Sequence, residues 1–333
     1  MNLVDKVQHF IQRHKLISKA DHIVVGVSAG ADSVTLLHIL YALKHSWGLQ
    51  LHIAHFNHNL RPTAARDQKF VEQLAQQLNL PFTTETLPKF KLQKAKGSIE
   101  ENARNYRLSF LARVAKKVKA DHIALAHTQD DLAETVLMRL IRGAGLQGLR
   151  GILPAREMAQ SHFIRPLLET RRKDIEQYLK TRHLTFRTDP TNRQTKFFRN
   201  KVRLNLLPIL EKEYNPNIKE VLTNIADTSC ADYELLETMA QKAYKKMAQS
   251  KKGKNTVAFN LTSFTNLHQA LQRMLIRLAI AHLQGNMNRL TLTHLNELET
   301  LIATKPKGSK LQLPKQITIE KTAVDLIIKH ENH

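Results

Sequence analysis

The chain has 333 residues, 42% hydrophobic and 24% charged, a globular composition long enough for two domains with cores of their own. Its 51 Lys and Arg against 29 Asp and Glu leave a net charge of +22, which points to a polyanionic partner, nucleic acid first. Cys230 is the single cysteine, which excludes internal disulfides and paired-cysteine redox, cluster or zinc chemistry and fits a reducing cytoplasm; no apolar run approaches the ~20 residues of a membrane span.

Residues 1–10 read as an amphipathic helix rather than a secretion signal. From 21 to 142, apolar β-type runs alternate with helical patterns, the signature of a parallel α/β sheet. Strands are expected at 22–27, 49–55, 82–87 and 122–126, and helices at 33–45, 64–78, 99–118 and 131–141. Ligands of such sheets bind beyond the carboxyl ends of the strands. Polar segments fall there three times, at 28–33, 55–61 and 127–131.

A glycine-rich turn at 143–151 precedes a charged helix at 171–182, a loop at 188–192 and a helix from 197 that should stop at Pro208. Tyr214-Asn215-Pro216-Asn217 reads as a boundary, giving expected domains 1–215 and 216–333. Helical periodicity returns at 218–247 and 263–283, a lysine-rich connection covers 245–254, and short β-type runs fill 310–328.

The turn Ser28-Ala29-Gly30-Ala31-Asp32-Ser33 follows a strand and opens a helix, so backbone N–H groups and a helix N-terminus converge where a phosphate can sit. Ser28 and Ser33 add hydroxyl donors, and Asp32 tolerates phosphate when a divalent cation such as Mg²⁺ lies between them. Neither a Gly-Lys-Ser/Thr ending nor G-x-G-x-x-G is present. An ordinary small-residue turn is the alternative.

Asp131 and Glu134, after His127, share one face of a first helical turn and suit proton transfer or metal binding. Helix capping explains the same residues without chemistry, and Asp130 competes with Asp131. Arg104 and Arg107 lie on one helical face suited to a triphosphate, with ion pairs to Glu100 and Glu101 as the alternative. His55, Asn57, His58 and Arg61 end the second strand as nucleotide- or substrate-facing residues.

The Ser28–Ser33 turn resembles the SGGxDS PP-loop of the ATP pyrophosphatase superfamily, with Ala29 in place of the first glycine. Together with the His55–Arg61 loop, Glu100-Glu101-x-Ala-Arg104 and His127-x-x-x-Asp131-x-x-Glu134-Thr135, it resembles the tRNA(Ile)-lysidine synthetase family. Arg165-Pro166-Leu167-Leu168, Asp189-x-Thr-Asn192 and Phe198-Arg199-Asn200-Lys-Val-Arg203 extend the match over about residues 20–210.

The resemblance implies an α/β, parallel-sheet PP-loop domain of the adenine nucleotide alpha hydrolase-like kind, followed by a smaller, mainly helical tRNA-binding domain. It implies ATP and Mg²⁺ as cofactors, with a tRNA(Ile) bearing a CAU anticodon and free L-lysine as partners. In the implied reaction, ATP adenylylates O2 of the wobble cytidine, and lysine then displaces AMP to give lysidine.

The resemblance places Ser28, Ala29, Gly30, Ala31, Asp32, Ser33, His55 and Arg104 around ATP, with Asp32 reaching Mg²⁺ through phosphates. Asp131, Asp32 and Glu134 take the catalytic roles, and His127, Asn192, Arg199 and Arg203 face the substrate. Lys245, Lys246, Lys251 and Lys252 would contact tRNA phosphates, a solvated loop being the alternative. Longer members carry a further C-terminal domain that this length is expected to lack. Oligomeric state stays open, a homodimer being one option. The rivals are PP-loop tRNA thiolases, amidating synthetases and an inert RNA-binding protein; the lone cysteine opposes the first and the charge the second.

Overall fold

The computed structural model describes residues 1–59, 63–88, 98–188, 198–250, 255–285 and 290–331. The expected site residues Arg61, Asn192, Lys251 and Lys252 lie outside the described residues. Two compact units divide the chain, Met1–Thr228 and Ser229–His333.

The first unit opens with helix α1 (Leu3–Arg13) and then alternates strand and helix: β1 (His22–Gly26), α2 (Ala31–Trp47), β2 (Gln50–Asn57), α3 (Ala64–Gln77), β3 (Phe82–Thr86), α4 (Ile99–Val118), β4 (His122–Ala124) and α5 (Gln129–Ile141). Each matches an expected element to within a few residues at its ends. The antiparallel hairpin β5 (Ala155–Met158) and β6 (Ser161–Ile164) then completes a six-stranded sheet in the order β3-β2-β1-β4-β6-β5. All other pairings in this sheet are parallel.

Strand alternation gives the sheet two apolar faces. Ile23 and Val25 of β1 and Ile53 of β2 join the core under α1, α2 and α3, while Val24, Ala54 and Phe56 face the core built by α4. Strand order reverses between β1 and β4, and a reversal leaves a crevice beyond the carboxyl ends of the two strands.

Past the helix Arg172–Thr181, the chain does not break at Pro208 as expected. Helical backbone runs from Phe198 to Tyr214, with π-helical stretches at Val202–Leu206 and Leu210–Tyr214. Pro208 lies inside this run, in the short α segment Leu207–Ile209, where it lacks the N–H of an interior helical position and the turns on either side are π-helical.

The division between the units falls inside the helix Ile218–Met247. The second unit packs the helices Gln269–Gln284 and Leu292–Thr304 against a five-stranded antiparallel sheet of β7 (Gln249–Ser250), β8 (Thr256–Asn260), β9 (Lys310–Leu313), β10 (Ile317–Lys321) and β11 (Asp325–His330), in the order β7-β8-β11-β10-β9. Its core contains Phe259, Phe264, Leu275, Ile276, Ile319 and Leu326. The 310–328 region forms three of these strands, as its composition indicated, whereas β8 (Thr256–Asn260) is not among the expected strands, although Thr256, Val257 and Phe259 favour one.

Candidate active site

A cavity of about 510 Å³ opens beyond the carboxyl ends of β1, β2 and β4. Ser28, Gly30, Asp32 and Ser33 from the first turn, His55, Asn57 and His58 from the second, and His127 from the fourth strand line it. The three polar segments therefore share one rim.

The first turn is tied internally. Ser33 Oγ donates to the Gly30 carbonyl at 2.9 Å and accepts the Ser28 backbone N–H at 3.1 Å, and the Ser28 and Ser33 hydroxyls lie 3.2 Å apart. Gly30 caps α2 without a side chain, which leaves the first N–H groups of the helix for an anion. Ala29 is fully buried and sits at φ +68°, the left-handed region that disfavours any residue with a Cβ. The Ala29 carbonyl accepts the Arg187 N–H at 2.9 Å, which holds the turn from outside.

Asp32 faces Arg172 Nη1 at 2.8 Å. Burial pushes its carboxyl up to about 6 against the pull of Arg172, and Asp131 and Asp130 add negative charge nearby. A desolvated carboxylate near two others fits a divalent cation. Among the described residues no three His, Cys, Asp or Glu side chains converge as ligands. An ion here would take Asp32 from the protein, and phosphate oxygens and water would complete its shell.

The second cluster lies at the start of α5. Thr128 and Asp131 form a capping box, with Asp131 Oδ2 accepting the Thr128 N–H at 3.0 Å. Asp131 Oδ1 meets Arg199 Nη2 at 3.1 Å and Arg203 Nη2 at 3.3 Å. Glu134, 1% exposed, binds Arg199 Nε at 2.9 Å and Arg203 Nε at 2.5 Å. Burial raises the Asp131 carboxyl, but Arg199, His127, the Thr128 N–H and Arg203 together hold it below its usual range. Asp130 turns elsewhere, accepting the Arg172 N–H at 3.0 Å and pairing with Lys219 at 3.2 Å. Capping and charge clustering thus both apply to Asp131.

His127 Nδ1 is enclosed and has no hydrogen-bond partner among the described residues, and burial drives the imidazole down to about 3, with Arg165, Arg107 and Arg104 adding to the shift against Asp131. His55 is buried, its Nδ1 donating to the Val27 carbonyl at 2.8 Å. Arg104 is exposed and does not line the cavity, whereas Arg107 does, with its Nε enclosed and without a hydrogen-bond partner among the described residues. The three-residue spacing placed both arginines on one face, and only the fold separates them. Lys245 and Lys246 are exposed at the end of the long helix in the second unit.

A family profile described as the PP-loop domain matches residues 1–210, and one described as the TilS substrate binding domain matches residues 259–319. A tRNA(Ile)-lysidine synthase from Clostridioides difficile is 34% identical over 331 residues, 99% of this chain and 71% of that protein. The chain belongs to the tRNA(Ile)-lysidine synthase family. That membership makes it an enzyme of the PP-loop ATP pyrophosphatase class.

A second lysidine synthase, from Symbiobacterium thermophilum, is 38% identical over 86% of this chain and 60% of its own length. The chain thus spans roughly two thirds of these relatives. Among solved structures, the U34-tRNA thiolase NcsA from Methanococcus maripaludis aligns over 68% of this chain and 77% of its own, with a TM-score of 0.58 at 18% identity, a likeness of fold alone. Among the described residues, no helix is long and apolar enough to cross a membrane.

Proposed function

We propose that this chain joins the ε-amine of lysine to C2 of the wobble cytidine in a CAU-anticodon tRNA(Ile), forming lysidine. The observation that carries the reading is the joining of a phosphate turn to an arginine-held carboxylate pair at one sheet rim. In the first step the cytidine O2 attacks the α-phosphorus of ATP, and the bond to the β-phosphate breaks with release of pyrophosphate. In the second, the neutral lysine amine attacks C2, the C2–O2 bond breaks, and AMP leaves with the former cytidine oxygen.

Ser28, Gly30 and Ser33 hold the pyrophosphate with the α2 N-terminus. Arg107, inside the cavity, takes the nearer phosphate oxygens, and Arg104 acts from the rim. Mg²⁺, held by Asp32, supplies charge neutralisation to the phosphates when bound. Asp131 receives the lysine ammonium or its proton, and Glu134 sets the arginines that orient it. Attack requires that proton to leave, since a free lysine amine has a pKa of ~10.4. His127, kept neutral by burial, offers a hydrogen bond without adding a positive charge. Asn192, Arg199 and Arg203 belong to the cytidine side, and Lys245, Lys246, Lys251 and Lys252 to tRNA phosphates.

The first step is tested without lysine. Protein, ATP, Mg²⁺ and tRNA(Ile) transcript should release pyrophosphate while AMP accumulates on the tRNA. Asp32→Asn should reduce that release by at least a hundredfold. Pyrophosphate release that ignores the tRNA opposes the reading.

A further inference from the structure

We propose that Arg142 and Phe198 form a stacking platform for one unpaired nucleobase of the anticodon loop, the adenine that follows the modified cytidine. The proposal rests on the lysidine-forming reading above. Arg142 caps the carboxyl end of α5, the helix whose first turn carries Asp131. Its guanidinium lies over the Phe198 ring, 5.0 Å from the centroid. Phe198 is 37% exposed and Arg142 is exposed as well, so the pair stands open to solvent.

A cation–π pair at an exposed site contributes only about 0.5–1 kcal/mol. Stability alone gives little reason to hold a large aromatic ring there. A base stacked on an aromatic side chain contributes about 1–3 kcal/mol. The arginine serves the same ligand, since stacking leaves its N–H donors free for phosphate.

Two further features tie the platform to the helix that carries Asp131. Phe198 is the direct neighbour of Arg199, whose guanidinium contacts both Asp131 and Glu134. Arg142 follows Asp131 by eleven residues on α5, about 16 Å along the helix axis, so a neighbouring base reaches the ring only when splayed away from the reacting cytidine. The support is also rigid. Arg139, on the last turn of α5, donates Nη1 to the Gly148 carbonyl at 2.8 Å and the Gly151 carbonyl at 2.6 Å. Gly151 itself sits at φ +60°, where a Cβ would come within 2.4 Å of Leu132. The glycine-rich turn is thereby locked against the helix that presents Arg142.

Leu140, Ile141 and Leu146, flanking Arg142 in sequence, are 51%, 51% and 39% exposed. Apolar exposure next to arginines suits an unstacked single strand, which presents π-faces and phosphates together. A purine offers the larger face, and the CAU triplet places one directly after the cytidine.

The test replaces that adenine with 2-aminopurine in full-length tRNA(Ile), whose fluorescence is quenched on stacking. Wild type should quench the probe, and Phe198→Tyr should keep the quenching. Phe198→Leu retains apolar volume without a π-face; it and Phe198→Ala should lose the quenching and raise the tRNA KM about 10-fold. Their kcat and their KM for ATP should stay within twofold of wild type. Quenching and tRNA KM unchanged in both variants would overturn the platform. A wild type that makes lysidine with the probe unquenched removes the platform alone. A wild type that quenches the probe but never forms lysidine removes the functional reading and leaves an RNA-stacking surface.

Discussion

Ala29 occupies a backbone conformation that the sequence made a question, because it stands where the PP-loop pattern has glycine. Its φ of +68° shows that the position does demand the left-handed region. Alanine there costs about 1–2 kcal/mol. Glycine would relieve that strain, but it would lose a buried methyl worth ~0.8 kcal/mol and gain freedom in the unfolded chain. Ala29→Gly should therefore remain within about 1 kcal/mol of wild type in urea unfolding, whereas Ala29→Val, branched at Cβ, should be clearly destabilised. His127 gives a second residue-level expectation. Its pKa falls from 6.5 to about 3 on folding, so the folded protein binds fewer protons than the unfolded chain between those values. Stability is full above pH 6.5 and is lost as pH falls, by up to about 1.4 kcal/mol per pH unit. Asp131, also held low, acts in the same direction but only within the carboxylate range. His127→Asn should flatten the stability profile between pH 6.5 and 5 specifically; an unchanged slope would show that the imidazole is not kept neutral.

At the scale of elements, strands β1 to β4 and their helices were legible because apolar runs of strand length alternate with long amphipathic patterns. The β5–β6 hairpin was not. Its two-residue turn is Ala159-Gln160, both at positive φ, where Asn-Gly or Asp-Gly would have announced it. The π-helical stretches were equally silent, since hydrophobic periodicity assumes an α-helix and Pro208 argued for a stop. Yet those stretches extend the segment that presents Arg199 and Arg203, which meet the carboxylates of α5 from about 70 residues away in sequence. Motif matching proposed these residues separately, and only the fold shows them as one ion cluster. Removing one arginine leaves Glu134 partnered by the other. Removing both leaves a buried carboxylate uncompensated, which costs about 3–5 kcal/mol. Arg199→Ala and Arg203→Ala should thus be non-additive in chemical denaturation, with the double variant losing more than the sum. Glu134→Gln added to that double variant should recover part of the loss. Simple additivity would contradict the shared clamp.

Across the whole molecule, the net charge of +22 has no counterpart in any fold requirement. If its lysines and arginines meet six or more tRNA phosphates, affinity should fall about 10³-fold between ~50 and ~200 mM salt, as released counterions dictate. A flat salt dependence in filter binding would remove the polyanion reading. The sequence conveyed the charge, the motif order over both units and the β-type runs of 310–328, but not the division inside the helix Ile218–Met247 or strands β7 and β8. A continuous helix leaves no break in composition to read, and the lysine-rich stretch 245–254 reads as a connection although it contains the two-residue strand β7. The most direct measurement of the central claim mixes the protein, ATP, Mg²⁺ and radiolabelled lysine with two CAU-anticodon transcripts, minor tRNA(Ile) and elongator tRNA(Met). Label entering tRNA(Ile) alone, with one AMP released per lysine joined, is the predicted result. ATP cleaved to AMP and pyrophosphate with no lysine joined to either tRNA would contradict it.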